Sequence, residues 1–328
     1  MTVTVVGAGV VGLTCAVRLA EAGHRVRVIA RERPEETTSA VAAALWFPYR
    51  AEPPERVDAW AARTYRELAK LAAGEPESGV VMRELVTVER EEKPEPTWRD
   101  TVEGFRRLGA GEVPAGYHGG WRAVVPVAET PRYLPWLVAR LARAGGVVEV
   151  VPGGVPSLAA AGAGAKLVVN CSGLGARSLA GDDSLLPVRG QVALVENPGL
   201  DRSWLDEDDP AGPTYVVPRR DDCVLGGTAD VGAESMEPDP AVTASILARA
   251  TRLVPALAGA RLLGVRVGLR PGRPAVRLEL EPPRTATAAA GALPAVIHCY
   301  GHGGAGHTLA WGCADEVLAL SRQVLGTA

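Results

Sequence analysis

Lysine is almost missing from this chain. Of its 35 basic residues, 32 are arginine and three are lysine: Lys70, Lys93 and Lys166. With so much Ala, Gly and Val alongside, the skew reads as GC-rich coding, so a pair such as Arg219-Arg220 carries less weight than usual. Aromatic residues are also scarce, at 5%. The formal net charge is −3, which excludes a polyanion-binding surface and with it nucleic acid as a partner. Cysteines number five. The number is odd and no C-x-x-C spacing occurs, so neither a disulfide framework nor a zinc site is indicated; the thiols read as small buried groups of a reducing cytoplasm. No apolar run approaches the length of a membrane span. Thr2–Val6 is apolar but has no basic n-region or cleavage site, and it reads as a strand and not a signal peptide. The last residues, Gly326-Thr327-Ala328, are not a peroxisomal address.

What is present fits two domains. There are 328 residues, 47% hydrophobic, enough for a large core. The first thirty residues read strand, glycine turn, helix, strand, with Leu13, Ala16, Val17 and Ala20 at helical spacing and Gly23 ending the helix. From Pro53 to about Val125, Pro and Glu increase, with a charged helix around Trp60–Leu71 and a loop around Arg90–Pro96. Pro131 to Ala144 reads as a helix. Val147–Val151 and Lys166–Gly173 read as strands. Gln191–Val195, Thr214–Val217 and Cys223–Leu225 read as antiparallel strands, followed by a helix near Val242–Leu253 and a strand near Leu262–Arg270. Ala286–Ala292 is a small-residue linker, Ala295–Tyr300 a last strand and Leu309–Leu325 a last helix. The fold class is therefore α/β: a Rossmann-like dinucleotide domain plus a mixed, mainly antiparallel β-sheet domain, both discontinuous. The boundaries fall at 1–50, 132–187 and 285–328 for the first, and 51–131 and 188–284 for the second.

The strongest local signal is Gly7, Ala8, Gly9, Val10, Val11, Gly12 between a strand and a helix. The first glycine permits the tight turn, the second lets backbone approach a pyrophosphate at the helix N-terminus, and the third lets helix and strand pack closely. Glu32 stands where a ribose-binding acid belongs. Arg31 beside it keeps an NADP-type 2′-phosphate open. The next segment shifts the balance to a flavin. Thr37, Thr38 and Ser39 supply hydroxyls, and Ala43, Ala44 and Leu45 belong to a small-residue run suited to close backbone contact. Trp46, Phe47 and Tyr49 then add aromatics.

This segment resembles the flavin-contacting loop of the D-amino-acid oxidase family, in a bacterial-type form. Gly268-Leu-Arg-Pro-Gly-Arg-Pro is similar to the family's substrate-arginine stretch. His298-Cys-Tyr-Gly-His-Gly-Gly-Ala-Gly-His-Thr is similar to its C-terminal glycine loop. Thr214-Tyr-Val-Val-Pro with Leu225-Gly-Gly-Thr resembles its active-site strand pair. The resemblance implies FAD as cofactor. It matches Arg270 to the arginine that grips the substrate α-carboxylate, a task for a planar two-pronged guanidinium. It matches Tyr215 to a second carboxylate ligand and the Gly304 carbonyl to the acceptor of the substrate amine. Gly303, Gly306, His307 and Thr308 fall on the loop that contacts the flavin, and Val155 and Ser172 on further flavin contacts. His307 stands where relatives carry an apolar residue. The animal members' second active-site tyrosine falls here on Ala211. Arg273 and Arg277 read as structural.

The implied reaction is oxidative deamination of neutral D-amino acids to 2-oxo acids, with ammonia and hydrogen peroxide, by hydride transfer from Cα to flavin N5. No residue is needed as acid or base at Cα. The partners are a D-amino acid and O₂, with no membrane, in the cytoplasm; the reading leaves room for a homodimer. D-aspartate oxidase is the rival, but acid-selective relatives carry a basic residue after Leu-Gly-Gly-Thr where this chain has Ala229. A second rival is a flavin-binding protein without catalysis, in which Arg270 and Tyr215 would have no purpose. His298, His302 and His307 lie in a strand and a glycine loop, not on one helical face, so no metal is expected.

Overall fold

The computed structural model describes residues 2–281 and 294–326. In chain order the strands are β1 Thr2–Val6, β2 Arg25–Ala30, β3 Val80–Glu89, β4 Glu103–Arg107, β5 Gly119–Ala128, β6 Val147–Val150, β7 Leu167–Asn170, β8 Leu186–Val195, β9 Ser203–Asp206, β10 Thr214–Pro218, β11 Cys223–Gly226, β12 Asp230–Val231, β13 Leu262–Gly272, β14 Arg277–Leu280 and β15 Ala295–Tyr300. The helices are α1 Val10–Glu21, α2 Thr38–Val41, α3 Pro54–Gly74, α4 Thr130–Arg143, α5 Leu158–Ala161, α6 Ala176–Leu179, α7 Pro240–Leu253 and α8 Gly306–Leu325.

The first sheet runs β14-β15-β7-β1-β2-β6. It is parallel throughout except for β14, which pairs antiparallel with β15. Its central strands are valine-rich because both faces are covered. Val3, Val5, Val169 and Ile297 enter one core with α1 and α8. Val6, Val168 and Val296 enter another with Leu158 and Ala161 of α5. The Rossmann-like α/β reading holds. β14 belongs to this sheet although it falls within the range 188–284.

The second sheet has nine strands in the order β12-β8-β11-β10-β9-β3-β5-β4, with β13 along β8. It is antiparallel apart from the β3–β9 pair. Val86, Val88, Ala193, Val195 and Val216 pack with Ile246, Ala250 and Leu253 of α7. Val127, Val192, Leu194, Val217 and Val224 on the other face pack with Ala43, flanked by Val41, Leu45 and Tyr215. That face looks toward the glycine turns of the first sheet.

The segment from 53 to 125 is where sequence and structure part. Its helix is longer than expected, and β3 and β5 pair antiparallel over ten residues each, from Val80↔Ala128 to Glu89↔Gly119. Pro126 obscures β5, because proline cannot donate to a ladder. Here its carbonyl accepts from Trp46 N at 2.9 Å on the side that β4 does not reach. The linker at 286–292 lies outside the described residues.

Candidate active site

The first sheet's carboxyl edge is shaped for close backbone approach. Gly7 has φ +110°, and a Cβ there or on Gly12 would collide with a carbonyl oxygen, of Cys171 and of Gly7 respectively. A Cβ on Gly9 would stand 3.0 Å from Ser39 Oγ. Ala8 and Val10 are buried, and Val11 is packed against the core. The start of α1 has no side-chain cap from Gly9 and no acidic residue in its first turn. Ser39 Oγ accepts the Val10 N–H at 3.0 Å, and the remaining first-turn N–H groups have no partner within the helix.

The other flavin candidates gather around this turn. Ser172 Oγ donates to Asn170 Oδ1 at 2.6 Å just beyond β7, and the backbone of Ser172 lies beside Gly7. Thr37 Oγ1 donates to Pro34 O at 2.7 Å, and Thr38 Oγ1 to Leu269 O at 3.0 Å. Thr38 thereby ties α2 to the strand that carries Arg270. Ala43 and Ala44 are buried. Ala44 has φ +58°, a left-handed conformation that is uncommon for a residue with a Cβ and tends to occur at functional sites. Leu45 bridges to Val127. Arg31 and Glu32 lie at the end of β2 and pair with each other at 2.6 Å. Val155 packs on the core over α5.

The glycine loop before α8 closes the same edge. A Cβ on Gly306 would lie 3.8 Å from Val10, so the starts of α8 and α1 abut. α8 also begins with no side-chain cap and no acidic residue in its first turn. Thr308 Oγ1 donates to Phe47 O at 3.0 Å and accepts from Phe47 N at 3.1 Å, so its hydroxyl serves the protein and only its backbone remains for a cofactor. His307 lies within hydrogen-bonding distance of Ser39 O, Nε2 to O 3.0 Å. A carbonyl only accepts, so the proton is on Nε2. Its Nδ1 is buried with no partner among the described residues, and burial lowers its pKa to about 4.

The second sheet brings the substrate candidates to this edge. Arg270, half-buried on β13, pairs across the sheet with Val188. Its Nη1 donates to Thr228 O at 2.9 Å, and its guanidinium lies over Gly190, where a Cβ would collide with it. No carboxylate of the described residues lies within 4.0 Å of it. Tyr215 on β10 crosses Gly226 and Gly227, whose missing side chains make room for its ring. Burial pushes the Tyr215 phenol up, and the neighbouring Arg270 cation opposes that shift. A Cβ on Gly304 would stand 3.1 Å from the Tyr49 ring and 3.6 Å from Arg270 Cδ. Arg270, Gly304 and Tyr49 thus converge, and the Tyr49 hydroxyl is buried without a partner among the described residues. Ala211 is exposed in the turn before β10. Arg273 is held by Asp182 and Arg277 by Tyr300 and Glu279, consistent with structural roles.

Two groupings escaped sequence reading. Buried Arg249 on α7 has no carboxylate within 4.0 Å among the described residues. It donates to Ala211 O at 2.6 Å, Gly227 O at 2.8 Å, Thr214 Oγ1 at 3.1 Å and Ser245 Oγ at 3.0 Å, clamping both chain segments that flank Tyr215. Four of the five cysteines also meet. The sulfurs of Cys15, Cys171 and Cys299 lie within 4.8 Å of one another, as do the ligand atoms of Cys299, His302 and Cys313. All are buried. Hydrogen bonds from the neighbouring thiols lower the Cys299 pKa. No spacing announces this cluster, because its members come from both ends and the middle of the chain.

A family model described as DAO, FAD dependent oxidoreductase, matches residues 2–320. The chain belongs to this family of FAD-dependent oxidoreductases. A D-amino-acid oxidase of Rubrobacter xylanophilus is 56% identical over 322 residues, 98% of this chain and 96% of that one. A D-amino-acid oxidase of Streptomyces coelicolor is 46% identical over 330 residues, 97% and 96% of the two chains. Among solved structures, glycine oxidase from Geobacillus kaustophilus superposes with a TM-score of 0.78 at 20% identity, covering 98% of this chain and 94% of that one. This likeness shows the fold.

The residues of this oxidoreductase fit its cofactor. Two abutting helix N-termini without neutralising acids suit a pyrophosphate and an electron-rich ring. The Cβ-free turn at Gly7, Gly9 and Gly12 leaves space for close approach. Among the described residues, no helix is long and apolar enough to cross a membrane.

Proposed function

We propose that this chain is a D-amino-acid oxidase acting on neutral D-amino acids, with FAD bound non-covalently. The observation that carries the reading is Arg270. A half-buried guanidinium that donates to the neutral Thr228 carbonyl, with no carboxylate within 4.0 Å among the described residues, is matched by a ligand that brings its own carboxylate. Arg270 offers the fork. Tyr215 keeps its proton because burial raises its pKa, so it donates to the same carboxylate. The Gly304 carbonyl, beside Arg270, takes the substrate amine. With carboxylate and amine fixed, the Cα hydrogen has one direction left, and this is the source of chirality. When bound, FAD accepts hydride from Cα and returns electrons to O₂ as hydrogen peroxide. The imino acid then hydrolyses to a 2-oxo acid and ammonia without help from an acidic or basic side chain.

The D-aspartate alternative needs a second cation for a second carboxylate. Ala229 does not supply it. Of the arginine pair Arg219-Arg220, Arg219 is buried and already held by Asp222 through two contacts of 2.6 and 2.7 Å, and Arg220 is exposed, which supports the neutral preference. A cytoplasmic setting accords with five buried cysteines without a disulfide. The test is spectroscopic. Under nitrogen, D-alanine should bleach the yellow protein, L-alanine should not, and air should restore the colour with release of peroxide. A yellow protein that no D-amino acid bleaches would leave only a binding role.

A further inference from the structure

Four buried cysteines and a buried histidine meet beneath the cofactor edge. Cys15 comes from α1, Cys171 from the residue after β7, Cys299 from β15 and Cys313 from α8. The sulfurs of Cys15, Cys171 and Cys299 lie within 4.8 Å of one another, and so do the Cys299 sulfur, a ring nitrogen of His302 and the Cys313 sulfur. Cys299 belongs to both groups. His302 is only 3% exposed, and its Nε2 lies 3.5 Å from Cys313 Sγ. The fifth cysteine, Cys223, sits apart on β11 of the other sheet.

A single buried thiol is a small core group and calls for no ligand. Four thiols brought from four segments onto one imidazole are a donor set. Its atoms are sulfur and nitrogen with no carboxylate among them, which selects a soft or borderline ion over magnesium or calcium. Cys299-Tyr300-Gly301-His302 carries thiol and imidazole on one turn. Gly301 has φ +83°, a left-handed conformation that glycine adopts freely, and it turns His302 back toward Cys299. A tetrahedral zinc ion with bonds near 2.3 Å holds its sulfurs about 3.8 Å apart. Donors already within 4.8 Å therefore need to close by no more than about 1 Å.

We propose that Cys299, His302 and Cys313 bind a structural zinc ion, with Cys15 or Cys171 completing the tetrahedron. Zn²⁺ displaces the thiol protons of Cys299 and Cys313, so the ion, two thiolates and a neutral imidazole leave no net charge in the core. The ion ties β15, the glycine loop and α8 to α1 or to the end of β7, the elements that form the cofactor edge. This inference goes beyond the oxidase reading and does not rest on it.

The test is the metal content of the holoenzyme, produced with zinc in the medium and freed of loosely held ions by gel filtration. We expect one zinc ion per chain. It should fall ten-fold or more in Cys299→Ser and in Cys313→Ser and stay unchanged in Cys223→Ser, with a normal flavin spectrum reporting that each variant is folded. A second readout needs no variant. Cobalt(II) in place of zinc should give the intense d–d bands of a tetrahedral site with sulfur ligands, in the red beyond the flavin absorption. A folded holoenzyme that holds neither zinc nor cobalt would overturn the proposal. So would zinc retained by both Cys299→Ser and Cys313→Ser, which would place the ion elsewhere. Both results leave the oxidase reading intact, and absence of turnover with every D-amino acid would leave the metal site intact.

Discussion

Arg270 is one of 32 arginines, and its distinction lies in what it lacks. Arg273 and Arg219 hold a carboxylate and Arg277 holds one and a phenol, while Arg270 donates to a neutral carbonyl. Arg270→Ala should retain FAD and lose about 3–5 kcal/mol of transition-state binding, or on the order of 10²–10³ or more in kcat/KM. Lysine should recover only part of it, because a point charge does not reproduce the fork. Near-normal turnover of D-alanine by Arg270→Ala would show that the carboxylate binds elsewhere. His307 supports a prediction of a different kind. Its folded pKa of about 4 lies below the unfolded value of about 6.5, so the unfolded chain binds the extra proton. The stability held by neutral His307 is complete above pH 6.5 and is lost as pH falls toward 4. Between pH 7.5 and 5 the loss should be about 2 kcal/mol. Urea unfolding of the protein and of His307→Leu at both pH values gives the difference, and equal pH slopes for the two would contradict it.

At the scale of elements, the site is held by contacts that run between helices and strands. α7 lies outside the site, yet its Arg249 fixes the carbonyls of Ala211 and Gly227 on either side of Tyr215. Replacing Arg249 by leucine leaves the buried Gly227 carbonyl without this partner, at about 1–3 kcal/mol, and releases the exposed Ala211 carbonyl to water. We expect a lowered Tm together with a rise in KM for the D-amino acid, while the flavin spectrum stays normal because α1 and α8 are untouched. A Tm loss with unchanged KM would restrict Arg249 to a structural role. The elements differ in how openly their sequences declare them. α1 and β1 are legible from periodicity and glycines. β3 and β5 are not, because one is charged along part of its length and the other contains Pro126. Their pairing depends on partners up to forty-eight residues apart, and such context outweighs local propensity in strands.

Over the whole molecule, the cofactor edge is assembled from residues 7–12, 37–45, 172 and 303–308, none of which makes a site alone. A ligand that binds only this assembled form stabilises it by mass action, by about 2.7 kcal/mol at a hundred times Kd. Stripping FAD should lower Tm, and titrating FAD back should raise it in proportion to the logarithm of concentration. A Tm indifferent to FAD would mean that these segments do not meet around it.

The sequence by itself determined the chemistry available: a glycine turn between strand and helix, an arginine in a glycine–proline frame, and a second glycine loop at the far end of the chain. These are readable because each needs only a few neighbours, and backbone geometry restricts which residues serve. Tertiary structure alone decided which charges are left over. Arg219 is neutralised by Asp222, whereas Arg270 has no carboxylate within 4.0 Å among the described residues, although the two look alike in a list of arginines. Whether a charge is satisfied depends on distances between segments far apart in the chain. The same holds for Cys15, Cys171, Cys299 and Cys313, scattered by number and gathered in space, because parallel strands and the helices packed on them bring distant segments side by side.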